Sequence, residues 1–259
     1  TYSKFTMTAI PDNFQPSANL LKNKIILVTG ATGSFGRVVS MAYAKHGATV
    51  ILLAKNLRSV EAFYDTIEAQ GYPKPAIYPM NLEGATEHDY TDLANNIEKE
   101  FGQLDGLVHC AGILGAPTPF EYSDTETWVK VHQVNLHAPY LLTRSVIPLL
   151  RKSEKASVVF MTDDKVGAYW DAYSVSKQAL ATMALNIAAE YEGSSIHVNC
   201  FNPGKTNTSL QVRAFPAADG NEGLPSPEDH IETFLYLVSD ELKKNGTCYV
   251  SMPTLFSKS

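Results

Sequence analysis

The 259-residue sequence predicts an α/β fold: a doubly wound parallel sheet of about seven strands, with helices on both faces, in a single domain spanning 1–259. Three observations predict it. Short apolar, β-branched runs alternate with longer helical patterns from Lys24 onward, which is how consecutive βαβ units read. No composition break, long Gly/Ser linker or internal period of roughly 20 to 50 residues divides the chain. Apolar residues make up 44% of it, enough for one sizeable core at this length.

The expected strands are 24–29, 49–54, 76–80, 106–110, 157–162, 195–201 and 247–251, each a short apolar run. The helical patterns between them cover 36–46, 59–70, 89–101, 126–150, 172–191 and 227–239. Residues 1–19 carry Pro11, Asp12 and Pro16 and have no apolar h-region, so they read as an N-terminal extension and not as a secretory signal. Residues 209–226, with Pro216, Gly220, Gly223 and Pro225, lack periodicity. They are the candidate substrate loop, with plain surface disorder as the alternative.

Composition excludes several classes. A net charge of -6 leaves no concentrated basic face for nucleic acid. No run of about eighteen apolar residues would span a membrane, and a cytoplasmic location is expected. Cys110, Cys200 and Cys248 are odd in number and dispersed, which fits reduced thiols; the seven histidines form no HxxxH pair, so no metal is expected.

Two motifs carry chemistry. The first strand runs into Gly30-Ala31-Thr32-Gly33-Ser34-Phe35-Gly36 and then a helix, an order in which backbone amides and the helix N-terminus hold a pyrophosphate. The second strand ends at Ala54-Lys55-Asn56, where selection of NAD calls for an Asp or Glu on the ribose 2′-hydroxyl. Ala54 cannot accept that bond, whereas Lys55, with Arg58, offers charge to a 2′-phosphate, so NADP is expected over NAD; the alternative is that both cations only solvate a loop. Tyr173 and Lys177 stand four apart in a helical pattern, on one face, where the ammonium can stabilise a phenolate. Taken alone, such a pair is also an ordinary surface contact.

Gly30 to Gly36, Asn135 and the Tyr173/Lys177 pair, in this order and at these separations, resemble the short-chain dehydrogenase/reductase family in its single-domain, Rossmann-type form, and further resemble a little-characterised bacterial branch of oxidoreductases. The resemblance implies that Tyr173 passes the proton at the carbinol oxygen, that Lys177 binds the nicotinamide ribose and lowers the phenol's pKa, and that Asn135 holds a relay water. It implies that Pro203, Gly204, Thr206 and Thr208 line the nicotinamide and pyrophosphate, that Asn81 and Leu82 flank the adenine, and that Cys110-Ala111-Gly112 stands where Asn-Ala-Gly is usual. Helices 126–150 and 172–191 resemble the pair through which members form a homodimer or homotetramer, although one buried face per helix would read the same.

The chain departs from the family at one decisive position. Counting back thirteen from Tyr173 reaches Phe160 where a serine is expected; aligning on the strand puts Asp163 there and shortens the loop by about three residues. An ionised carboxylate at that point repels a developing oxyanion and raises the phenol's pKa. Three resolutions stay open from sequence: Thr162 supplies the hydroxyl, Asp163 is protonated and donates, or Asp163 or Asp164 is neutralised by Lys165. Ser34 likewise replaces the usual middle glycine. Tyr169, Trp170, Arg213 and Phe215 are candidates for an aromatic substrate pocket. The implied function is NADP-dependent hydride transfer between nicotinamide and a small carbonyl or alcohol; the alternative is a catalytically impaired NADP(H)-binding sensor or partner-binding protein.

Overall fold

The computed structural model describes residues 7–216 and 223–250. Among these, eight strands form one wholly parallel sheet: β1 (Met7–Thr8), β2 (Ile25–Thr29), β3 (Thr49–Ala54), β4 (Ala76–Pro79), β5 (Gly106–His109), β6 (Ala156–Met161), β7 (Ile196–Asn202) and β8 (Cys248–Val250), in the order β1-β8-β7-β6-β5-β2-β3-β4. The seven expected strands are present within a residue or two of their expected ends. The eighth, β1, lies inside the expected N-terminal extension; its two residues pair with β8, Met7 opposite Cys248 and Thr8 opposite Tyr249, and two residues carry no periodicity. The chain after β1 is packed as well: Phe14 and Leu21 are buried, and the Phe14 ring meets Tyr236 edge-on at 5.2 Å. Residues 1–6 and 251, which fall within expected elements, lie outside the described residues, as does 217–222 of the candidate loop.

The helices are α1 (Ser34–Lys45), α2 (Leu57–Ala69), α3 (Glu87–Phe101), α4 (Thr125–His132), α5 (Ala138–Leu150), α6 (Asp171–Glu190), α7 (Ser209–Ala214) and α8 (Ile231–Val238). They lie on both faces, each over its own core. One core joins Leu27, Leu53, Leu107 and Val158 to α3, α5 and α6; the other joins Ile26, Val28, Val50 and Phe201 to α1, α2 and α8. Alternate residues of a single strand thus serve opposite cores, which is why these strands are apolar throughout.

Local chemistry sets the helix starts. The Asn56 side chain accepts from Ser59 N (2.9 Å) to cap α2, and Thr86 with Asp89 forms a capping box on α3. The pattern 126–150, expected as one helix, is interrupted by a π-turn over Gln133–His137 that contains Asn135. Inside the expected irregular stretch, residues Ser209–Ala214 are helical, capped by Thr208, whose hydroxyl accepts from Gln211 N at 3.1 Å. The strand order reverses at β2, between β3 on one side and β5 on the other, so the carboxyl ends of β2, β5, β6 and β7 open onto one crevice.

Candidate active site

A cleft of about 330 Å³ occupies that crevice. Its floor begins at Gly30, whose φ of +63° lies in the left-handed region; a Cβ there would also come within 2.9 Å of Ala111 Cα. Gly36 is more constrained, because a Cβ on it would sit 2.1 Å from the Gly30 carbonyl oxygen. α1 therefore starts pressed against the turn. Gly33 caps it with no side-chain hydrogen bond, so the first amides of the helix are not satisfied by a cap and stand at the edge of the cleft. Thr32, Ser34 and Phe35 complete this wall, and Ser34 Oγ accepts from Ser209 N at 3.2 Å, tying α7 to the turn across the cleft.

Ala54, Lys55, Asn81 and Leu82 line one end. So does Glu83, which the sequence reading missed: its carboxylate lies 3.7 Å from Lys55 Nζ, and its backbone N–H is accepted by Asn81 Oδ1 at 3.2 Å. The Lys55 side chain is 70% exposed. Arg58 does not line the cleft.

At the other end, α6 presents Tyr173 and Lys177 on one face, both buried, with Lys177 Nζ 5.9 Å from the centre of the Tyr173 ring. Lys177 Nζ donates to the Met161 carbonyl at 2.9 Å. The Tyr173 hydroxyl donates to Asp163 Oδ2 at 2.9 Å, while Asp163 Oδ1 accepts from Lys165 N at 2.9 Å and its backbone carbonyl from Gln178 Nε2 at 3.1 Å. Asp163 thus stands against the tyrosine hydroxyl, and two of the three resolutions left open by sequence are unmet. The Thr162 hydroxyl is turned to the Phe201 carbonyl (3.4 Å), and Lys165 Nζ stacks 4.8 Å over Trp170 rather than pairing with Asp163.

The electrostatics follow from burial and this contact. Burial, then the Asp163 charge and hydrogen bond, pushes the Tyr173 phenol well above its usual value, opposite to the lowering expected from Lys177. Burial lowers Lys177 to about 8, opposed by Asp163 and Cys110. Cys110, also in the cleft wall, is pushed up to about 12 by burial, against the pull of Lys177. His109 falls to about 3 through burial, with Lys177 adding to the effect.

Asn135, expected to hold a relay water, does not line the cleft either. It stands behind the wall, where its amide clamps Ile113: Oδ1 accepts from Ile113 N at 2.8 Å, and Nδ2 donates to Ile113 O at 2.9 Å and to Ser176 Oγ at 3.1 Å. Ala111 and Gly112 lie in front of it; a Cβ on Gly112 would be 3.5 Å from both Asn135 Oδ1 and Lys177 Nζ. Pro203, Gly204, Thr206 and Thr208 close the opposite wall. Their polar groups are already engaged, since Thr206 Oγ1 meets His230 Nε2 at 2.9 Å, and Gly204 N donates to Asn202 Oδ1 at 2.9 Å.

A second cavity of about 120 Å³ also reaches Tyr173. Tyr169 and Trp170 line it, as expected, together with Tyr122, Trp128, Asp124 and Asp171; Arg213 is in neither cavity, and Phe215 packs on Trp170 at 5.8 Å. Tyr169 and Asp171 take positive φ values of 73° and 27°, costly for side-chain-bearing residues and held by the surrounding fold.

A glycine cradle at a sheet switch point, opening onto a buried Tyr/Lys pair, defines a class of protein, and the chain belongs to the short chain dehydrogenase family, whose sequence profile matches residues 24–219. Among its relatives is the uncharacterized oxidoreductase YciK of Escherichia coli K12, 37% identical over 246 residues that cover 93% of this chain and 96% of that one. Among solved structures it is similar to a short chain dehydrogenase of Shigella flexneri 2a complexed with NADP (TM-score 0.87, 35% identity, 90% of this chain and 99% of that one). It is equally similar to one of E. coli CFT073 complexed with NADPH (TM-score 0.88, 37% identity, 92% and 100%). Among the described residues no helix is long and apolar enough to cross a membrane, and no group of three or more His, Cys, Asp or Glu could hold a metal.

Proposed function

We propose that this chain is an NADP(H)-dependent oxidoreductase of a small carbonyl or alcohol substrate, working as one domain in a homodimer or homotetramer. The observation that carries this reading is the continuity of the cleft from the uncapped start of α1 to the Tyr173 hydroxyl, beside the buried cation Lys177. The glycine cradle leaves room for a pyrophosphate against α1, and Lys55 brings a positive charge to a 2′-phosphate. The relatives that hold NADP and NADPH support the same choice of dinucleotide. When bound, the nicotinamide supplies or accepts a hydride. The chain handles everything else. Lys177 holds the adjoining ribose, Tyr173 gives or takes the proton at the substrate oxygen, and Asn135 fixes the Ile113 backbone behind Lys177 and serves its relay. Segment 209–216 closes the substrate side through its Ser209–Ser34 contact.

The Tyr173–Asp163 hydrogen bond favours a second reading, in which the chain binds NADP(H) and has lost efficient carbonyl chemistry. The contact occupies the phenol's proton and places a carboxylate where an oxyanion would develop. Fluorescence titration with NADPH and NADH tests the cofactor: tighter binding of NADPH is expected, and binding of neither overturns both readings. Turnover of a carbonyl panel that disappears in Tyr173→Phe separates the enzyme from the binding-only protein.

A further inference from the structure

We propose that the substrate presents to Asp163 a protonated nitrogen, as an iminium, in place of a carbonyl oxygen. The inference rests on the oxidoreductase reading and changes the atom on which it acts. Asp163 lines the cofactor cleft, and its Oδ2 is the acceptor of the Tyr173 hydroxyl, so the reacting atom of any ligand held by Tyr173 lies beside a carboxylate. Lys177, in the same cleft, is buried and already donates to Met161 O, and Asp163 offsets its charge.

The second cavity, which also reaches Tyr173, carries the same character. Trp128, Trp170, Tyr122 and Tyr169 give it aromatic faces, and Asp124 and Asp171 add two carboxylates, one capping Thr127 N and the other accepting from Ser123 Oγ. Aromatic faces with carboxylates attract organic cations. The protein itself uses Trp170 this way, with Lys165 Nζ 4.8 Å above its ring.

The chemistry balances without an oxyanion. A carbonyl that accepts hydride at carbon becomes an alkoxide, which the carboxylate repels and which needs a proton at once. An iminium that accepts hydride at carbon forms one C–H bond, returns its C=N π pair to nitrogen as a lone pair, and becomes a neutral amine. The positive charge next to Asp163 is lost only as the bond forms, and Tyr173 has no obligatory proton to deliver.

The only two tryptophans of the chain, Trp128 and Trp170, both line this cavity, and the Trp170 ring lies 5.8 Å from that of Tyr173, so intrinsic fluorescence reports a ligand held at Tyr173 without turnover. Piperidinium, cyclohexanol as its neutral counterpart and cyclohexanecarboxylate as its anion are titrated against the whole chain, with and without NADP. Piperidinium is expected to bind at least 10-fold tighter than the other two, and to lose that preference in the isosteric Asp163→Asn. Comparable binding of piperidinium and cyclohexanol, or a preference untouched by Asp163→Asn, overturns the proposal. Turnover gives the second readout: a cyclic imine reduced at least 10-fold faster than the matching cyclic ketone supports it, and the reverse order overturns it. The NADPH titration is independent, so failure of the cofactor reading shows there while failure of the nitrogen proposal shows in the ligand preference.

Discussion

Replacing Gly36 by alanine tests whether the cradle is as tightly built as its geometry implies. The added Cβ would lie 2.1 Å from Gly30 O, 2.7 Å from Gly30 C and 2.9 Å from Ala31 Cα, all backbone atoms that cannot rotate away. Relief therefore needs a movement of about 1 Å between α1 and the turn, in the cost range of about 1–3 kcal/mol for overpacking. Its severity puts it at the upper end. The alanine returns about 1 kcal/mol in helix propensity, leaving a net loss of about 2 kcal/mol. For a chain of this length that is a fall in Tm of about 4–8 °C. NADPH affinity should fall at least 10-fold with it, because the displaced turn is the proposed pyrophosphate wall. Gly84→Ala is the control: no atom lies within 4 Å of its Cβ, and no loss is expected. Thermal melts and NADPH fluorescence titration read both effects. A Gly36→Ala protein that melts within a degree or two of wild type and binds NADPH normally would refute the cradle.

Lys177 makes stability depend on pH. Its folded pKa is lowered to about 8 from 10.5, so between these values the unfolded chain holds a proton that the folded chain has released, and stability rises with pH across that window by an amount on the order of 3 kcal/mol. Lys177→Met should flatten the rise between pH 8 and 10 in urea melts; an unchanged slope would contradict the buried charge. Lys55→Ala should weaken NADPH binding about 3- to 10-fold at low salt and spare NADH, with the difference shrinking at high salt because this side chain is 70% exposed. An NADH preference in the wild type would overturn the role given to Lys55. Asn135→Ala strands both backbone groups of Ile113 and should cost about 2–4 kcal/mol in denaturant melts, with a loss of activity larger than a simple stability defect would give at low temperature.

Much of the architecture was legible because its causes are local. Strands such as Ile25–Thr29 and Thr49–Ala54 feed both cores and so read as unbroken apolar runs, and the glycine turn is set by spacing alone. Asp163 was placed by aligning on the strand, and it does stand at the Tyr173 hydroxyl. What escaped depends on tertiary contact. β1 is two residues whose pairing exists only because β8 is beside it, and the π-turn at Asn135 leaves the apolar period of its helix intact. α7 is a short helix held by the Thr208 cap and the tie between Ser34 and Ser209. The raised phenol of Tyr173 agrees with the effect expected of a carboxylate at Asp163 and reverses only the lowering expected of Lys177, because the distance to Lys177 and the depth of burial are spatial quantities. The pairing of Trp128 with Trp170 across one cavity likewise joins segments that nothing in their spacing connects.

The central claim is that the Tyr173–Asp163 contact decides what this site can do, and carbonyl reduction by Asp163→Ser measures it most directly. Exchanging the carboxylate for a hydroxyl restores a donor to the substrate oxygen, an effect of roughly 10²- to 10³-fold in rate at such positions. Asp163→Ser should therefore turn over carbonyl substrates at least 10-fold faster than wild type, with the gain abolished in the Asp163→Ser/Tyr173→Phe double variant. Wild-type carbonyl turnover equal to or faster than that of Asp163→Ser, or a gain that survives loss of the phenol, would contradict the account.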